Sequence, residues 1–144
     1  MKVLIDADGC PVVKLTTRLA KQSKMKVLIF CDSSHHFESQ DAKVITVVKG
    51  RDAVDFELLK HMEKEDIVVT QDYGLAAMVL SKGGIAINHN GLVYTEENID
   101  QLLFSRYQNF KIRKSGGRIR GPRKRNRQND HNFSQAFKWL QKKE

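Results

Sequence analysis

The first eleven residues constrain this chain most. Val3-Leu4-Ile5 is an apolar, partly β-branched run that passes directly into Asp6, Ala7 and Asp8, then into a Gly9-Cys10-Pro11 break. Runs of this kind bounded by turn residues form buried strands. Pro11 has a fixed φ and no N–H, which suits the first turn of a following helix. The opening reads as a central strand whose C-terminal tip carries two carboxylates one residue apart. In open α/β sheets ligands collect at that edge. Two acids held there repel each other unless a cation offsets them.

The remaining chain alternates strands and helices. Val12, Leu15, Leu19 and Ala20 recur at helical spacing and predict a helix to about Ser23. Strands follow at Met25–Cys31 and Lys43–Val48, separated by a polar loop around Asp32-Ser-Ser-His-His36. Gly50 breaks the third strand, and Asp52 is placed to cap a helix Ala53–Lys64. Ile67–Thr70 is a fourth strand, Leu75–Ser81 a short helix stopped by Gly83-Gly84, and Ile85–Ile87 a fifth strand. The Asn90-Gly91 turn favours a hairpin into Leu92-Val-Tyr94, and Thr95 is placed to cap a helix to about Asn109. Alternation at this spacing predicts a mostly parallel sheet with helices on both faces.

With 144 residues the chain has the length of one domain and can bury one sizeable core. No apolar run approaches the ~20 residues that span a bilayer, and the immediate entry into a strand does not read as a signal peptide. Two cysteines, Cys10 and Cys31, make no disulfide framework, so a reducing cytoplasm is the expected compartment.

The net charge of +8 is concentrated in one segment. Between Lys111 and Gln128 stand nine basic residues, namely Lys111, Arg113, Lys114, Arg118, Arg120, Arg123, Lys124, Arg125 and Arg127, and no acid. Removing these nine from the 25 Lys and Arg leaves 16 against 17 Asp and Glu, a body of net charge −1. Gly116-Gly117 and Gly121-Pro122 punctuate the segment, which predicts a loop over 111–129. Asp130 then caps a final helix whose Phe133, Phe137 and Leu140 form an apolar stripe packing back on the 1–110 core. Arginine-rich segments without acids bind phosphate-rich partners, so nucleic acid is the expected partner and a membrane is not. The segment itself has no aromatic ring, and Tyr107 and Phe110 just before it are the nearest residues for base stacking.

The acids share one context. Asp6 and Asp8 follow the first strand, Asp52 and Asp55 the third, and Asp72 the fourth, all on one edge of a parallel sheet. Asp52 and Asp55 project from one helix face at i and i+3. Convergent carboxylates suit Mg²⁺ or Mn²⁺, and such an ion can activate water and neutralise a phosphodiester during cleavage. Singly, Asp52 also fits a cap, Asp55 a solvated helix face and Asp72 a turn. Thr70 and Gln71 adjoin Asp72 and are candidates to hydrogen-bond a metal water or a phosphate, although Thr also packs at strand ends. Lys14, Arg18 and Arg51 are near enough in sequence to contact phosphates, although a solvated helix face suits each better, and His35-His36 could supply a base or ligand, although paired surface histidines usually do neither. Cys10 lacks a basic partner and is set aside as packing.

Asp6-Ala-Asp8-Gly-Cys-Pro11, Gly50-Arg-Asp52-Ala-Val-Asp55, Thr70-Gln-Asp72-Tyr-Gly-Leu-Ala76 and the Gly116-Gly…Gly121-Pro122 segment, taken in this order, resemble the YaiI/YqxD family over nearly the whole chain. That family resembles a compact branch of the PIN-like domains. The resemblance implies a three-layer α/β/α fold with sheet order 3-2-1-4-5, and Asp6, Asp8, Asp52, Asp55 and Asp72 as metal-binding acids. It also implies a metal-dependent nuclease, with RNA as the expected substrate. Gly9 stands where a slightly larger residue is expected, which should loosen the turn. Two other readings stand beside the nuclease. One is a non-catalytic nucleic-acid or ribosome-associated binder. The other is a phosphatase of the haloacid dehalogenase type, whose Asp-x-Asp-Gly motif Asp6–Gly9 resembles, with Asp6 phosphorylated and Asp8 as acid/base. Pro11 argues against the last by starting a helix where that fold needs an irregular flap.

Overall fold

The computed structural model describes residues 1–119 and 123–142. Among them lie five strands and five helices: β1 (Val3–Asp6), α1 (Val13–Gln22), β2 (Val27–Asp32), β3 (Lys43–Val47), α2 (Ala53–His61), β4 (Ile67–Val69), α3 (Tyr73–Ser81), β5 (Ile85–Ile87), α4 (Glu96–Lys114) and α5 (Arg127–Lys142). The strands form one all-parallel sheet in the order β3-β2-β1-β4-β5. Ile5 lies opposite both Ile29 and Val69, which puts β1 at the centre.

Side chains alternate along each strand, so each strand supplies two cores. Val3, Ile5, Val27, Ile29, Ile67 and Val69 face α1 and α5, meeting Leu19, Ala20, Phe133, Phe137 and Leu140. Leu4, Leu28, Phe30, Val68 and Ala86 face the other way, onto Leu58, Leu75, Val79 and Ile99 of α2, α3 and α4. This is the three-layer α/β/α arrangement expected from the sequence. Among the described residues no helix is long and apolar enough to cross a membrane.

Several boundaries differ from expectation for local reasons. Pro11 lies in a turn and α1 starts at Val13, with Val12 at the cap position. Asp52 precedes α2 in the left-handed region (φ 58°) and makes no side-chain cap bond, so the predicted cap is not formed, and α2 ends at His61 instead of Lys64. Helix α3 begins two residues early because Asp72 accepts hydrogen bonds from the N–H groups of Gly74 and Leu75. The expected hairpin reduces to a single antiparallel bridge between Ile87 and Val93. At its turn Gly91 has φ +91°, and a Cβ there would lie 2.6 Å from the Asn132 carbonyl oxygen of α5.

The largest difference is in the basic segment. Helix α4 runs on to Lys114, five residues past Asn109, because this stretch holds good helix formers and cations that suit the helix C-terminus. Lys111, Arg113 and Lys114 are therefore helical, and the helix stops at Gly116 (φ +88°). Arg127 opens α5, so the predicted loop over 111–129 is helical at both ends. Asp130 does not cap α5. Asn126 and Asn129 do so reciprocally, each side-chain oxygen accepting the other's backbone N–H at 2.9 and 3.1 Å. Arg120 and Gly121-Pro122 lie outside the described residues.

Candidate functional site

The acidic cleft is built where β1 and β4 end. Asp6 is the last residue of β1. The Ala7 N–H then bonds to the Phe30 carbonyl at 2.9 Å, and Gly9 turns the chain with φ +72°. A left-handed backbone is why glycine stands at position 9, so the residue completes the turn and does not loosen it. Asp8 Oδ2 accepts the Asp32 N–H at 3.0 Å, joining the tips of β1 and β2.

Thr70 joins β1 to β4. Its hydroxyl donates to Asp6 Oδ2 at 2.8 Å and accepts the Asp72 N–H at 3.0 Å. Its carbonyl accepts from the buried Tyr94 hydroxyl at 3.1 Å. Thr70 thus fixes two acids directly. Gln71 is exposed, and its side-chain nitrogen touches His89 Nε2.

The cleft encloses about 580 Å³, with Asp6, Asp8, Asp72, His89 and Arg106 among its walls. Burial, with the charges of Asp72 and Asp8, pushes Asp6 up to about 6 against the lowering effect of the Thr70 hydrogen bond. Asp55 is pushed up to about 7 by burial, then by Asp72, Asp6 and Asp52. Asp6, Asp55 and Asp72 are therefore coupled by charge, Asp8 adds to the field at Asp6, and Asp6 and Asp55 resist ionisation. Two basic side chains reach its edge. Arg106 Nη1 of α4 is 3.8 Å from Asp72 Oδ1, and His35 Nδ1 is 2.8 Å from Asp8 Oδ1. The His35 contact lacks hydrogen-bond alignment, so Asp8 Oδ1 remains a buried acceptor without a hydrogen bond. One ligand atom each of Asp8, Asp32 and His35 lies within 4.8 Å of the others.

Among the described residues this is the one group of three ligand atoms so close together, and Asp6, Asp55 and Asp72 are not in it. Its two carboxylates and one imidazole suit a divalent cation, and Asp8 Oδ1, although 2.8 Å from His35 Nδ1, makes no hydrogen bond. Asp52 stands apart: it is exposed, and it reaches the other acids only through its charge on Asp55. Lys14 and Arg18 line a different cleft, between α1 and the loop around Phe37. Burial lifts the Cys10 thiol to about 11, with Asp6 adding to the rise, so it is no nucleophile at neutral pH.

The basic residues divide into two groups. Arg113, Arg118, Arg123, Lys124 and Arg127 are exposed. Arg125 instead bonds to Asp130 Oδ1, to Asn90 Oδ1 at 2.7 Å and to the His89 carbonyl at 2.8 Å. It is a clamp that holds the loop after β5 onto α5. Burial and the Arg125 charge lower the His89 pKa, and its buried Nδ1 makes no hydrogen bond.

Residue order offers His35 as a candidate base or ligand but does not point to Asp32, His89 or Arg106 beside it. Asp32 ends β2, so the strand-tip rule that singles out Asp6 applies to it equally. Arg106 carries no local signal, since it reaches Asp72 only through the docking of α4 on α3.

The model of the family described as "Uncharacterized BCR, YaiI/YqxD family" matches residues 4–143. A UPF0178 protein of Exiguobacterium sibiricum is 52% identical over 140 residues, covering 97% of this chain and 96% of its own. A UPF0178 protein of Ruminiclostridium cellulolyticum is 47% identical over 137 residues, covering 95% and 90%. Another, from Natranaerobius thermophilus, is 44% identical over 138 residues, covering 96% and 94%. No solved structure gives a significant match. The similarity runs from the first strand to the last helix, and this chain belongs to the YaiI/YqxD family.

Proposed function

We propose that the acidic cleft is the active site of a divalent-metal-dependent nuclease that hydrolyses RNA phosphodiesters. The observation that carries this reading is a cleft walled by Asp6, Asp8 and Asp72, with Asp55, outside its walls, coupled by charge to Asp6 and Asp72. Acids that repel one another in a cleft mark a functional site. Asp6, Asp8, Asp55 and Asp72 would hold Mg²⁺ or Mn²⁺, with Asp52 outside the group. The bound ion supplies Lewis-acid chemistry, activating water and offsetting charge on the phosphate.

The chain's own residues do the rest. Thr70 holds Asp6 in one orientation, as residues behind a metal ligand commonly do. Arg106 stands at the mouth, placed to meet the phosphate entering beside Asp72. The exposed cations of the 111–129 segment grip the backbone without reading bases. The test is cleavage of end-labelled RNA in Mn²⁺, with EDTA as control. Asp6→Asn and Asp72→Asn should each lower the rate at least about 100-fold. Full activity in both variants would remove the cleft from the chemistry.

A second reading has its own support. The exposed arginines of the 111–129 segment lie outside the cleft walls, so the chain can bind nucleic acid without cutting it. Salt-sensitive RNA binding lost in Arg118→Ala and Arg123→Ala, with no cleavage under any metal, would favour that binder.

A further inference from the structure

Helix α4 carries a feature that the cleft does not use. Three aromatic side chains on one flank, Phe104, Tyr107 and Phe110, are 59%, 55% and 60% exposed. Large rings left in water at i, i+3 and i+6 form a patch, and patches of this kind mark binding surfaces. The rings are bracketed by cations. Lys111 Nζ lies 5.3 Å from the Tyr107 ring centre, and Lys114 Nζ lies 5.9 Å from that of Phe110. From Arg106 to Lys114 the helix holds four cations and no acid.

We infer that Phe104, Tyr107 and Phe110, with Lys111 and Lys114, form a stacking platform for the unpaired bases of a single-stranded nucleic acid. This rests on the nuclease reading only in naming the strand that the cleft receives. Flat apolar rings offer every base a π-face, and the flanking ammonium groups meet the phosphates. Successive rings step about 4.5 Å along the helix axis, a little more than the about 3.4 Å per nucleotide of a stacked strand. A slightly stretched strand therefore matches the row, whereas a duplex keeps its bases paired and stacked on each other, with no faces to offer. The same helix delivers Arg106 to Asp72, so a strand lying on the rings is led to the acids. A second copy of this chain is a poor occupant, because it would bring four like cations against these four.

The test is fluorescence anisotropy with a labelled 12-nucleotide oligouridine and a 12-base-pair RNA duplex, in EDTA, on the Asp6→Asn background. The single strand should bind more tightly than the duplex. Tyr107→Leu and Phe110→Leu should each weaken that binding about tenfold or more, while Phe110→Tyr stays within about twofold. The salt dependence should be unchanged in the ring variants, because stacking releases no counterions. The exposed positions make misfolding avoidable, and circular dichroism checks it. Equal affinity for duplex, or full binding by both Leu variants, overturns the platform. So does ring-dependent dimerisation in sedimentation, or ring-dependent binding to anionic phospholipid vesicles. Binding is read without cleavage, so an inactive cleft leaves this result standing, and a failed platform leaves the cleavage test standing.

Discussion

The Thr70 hydroxyl donates to Asp6 Oδ2 at 2.8 Å while accepting the Asp72 N–H at 3.0 Å, so one small side chain sets the spacing between an acid at the tip of β1 and one at the start of α3. Thr70→Val keeps the shape and removes both bonds. It should cost about 10–100-fold in Mn²⁺ affinity or cleavage rate, with Thr70→Ser retaining most of both. The same hydrogen bond lowers the Asp6 pKa. Thr70→Val should therefore move the acid limb of the pH–rate profile upward, a shift that simple loosening of the fold would not produce.

The raised acids also make stability depend on pH. Asp6 and Asp55 bind protons more tightly in the folded chain, at about 6 and about 7, than at their ordinary value of 3.8. Their contribution is most favourable at or below about pH 4 and declines as the pH rises to about 7. Without metal, the melting temperature contributed by these groups should fall from pH 5 to pH 8, and Asp55→Asn should flatten that fall. Added Mn²⁺ should act most at pH 8, where both acids are ionised. At about 100 times its Kd it should raise the melting temperature by about 5–10 °C. Differential scanning calorimetry at the two pH values reads all of this.

Arginines of the basic segment should behave differently from one another. Arg118→Ala and Arg123→Ala remove exposed cations, and each should lower the salt slope of RNA binding by about one. Arg125→Ala instead breaks bonds to Asp130, Asn90 and the His89 carbonyl. It should leave the salt slope nearly unchanged and cost about 1–3 kcal/mol of stability. Salt titrations beside urea melts separate the two effects.

The closing helix is part of the core. Phe133 and Phe137 are fully buried and stack at 5.7 Å between ring centres. Phe137→Ala should cost about 3–5 kcal/mol, lowering the melting temperature by roughly 10 °C. A change under about 2 °C would show that α5 is not docked on the sheet.

Much of this was legible in residue order. Apolar runs with turn residues between them locate all five strands, because burying both sheet faces demands such runs. That Asp6, Asp8 and Asp72 line one cleft follows from residue order too, since the tips of parallel strands share an edge. Helix ends were read less well. Lys111 to Lys114 continue α4 because cations suit its C-terminal end, and Asp72 starts α3 because its side chain reaches the N–H groups of Gly74 and Leu75.

Local order along the chain was thus sufficient for the sheet and for which acids follow its strands, since each depends on a residue's immediate neighbours. It was not sufficient for the orphaned oxygen of Asp8, the Arg125 clamp, the reach of Arg106 to Asp72 or the exposure of Phe104. These depend on how helices α4 and α5 dock, which is settled by side-chain packing between residues tens of positions apart.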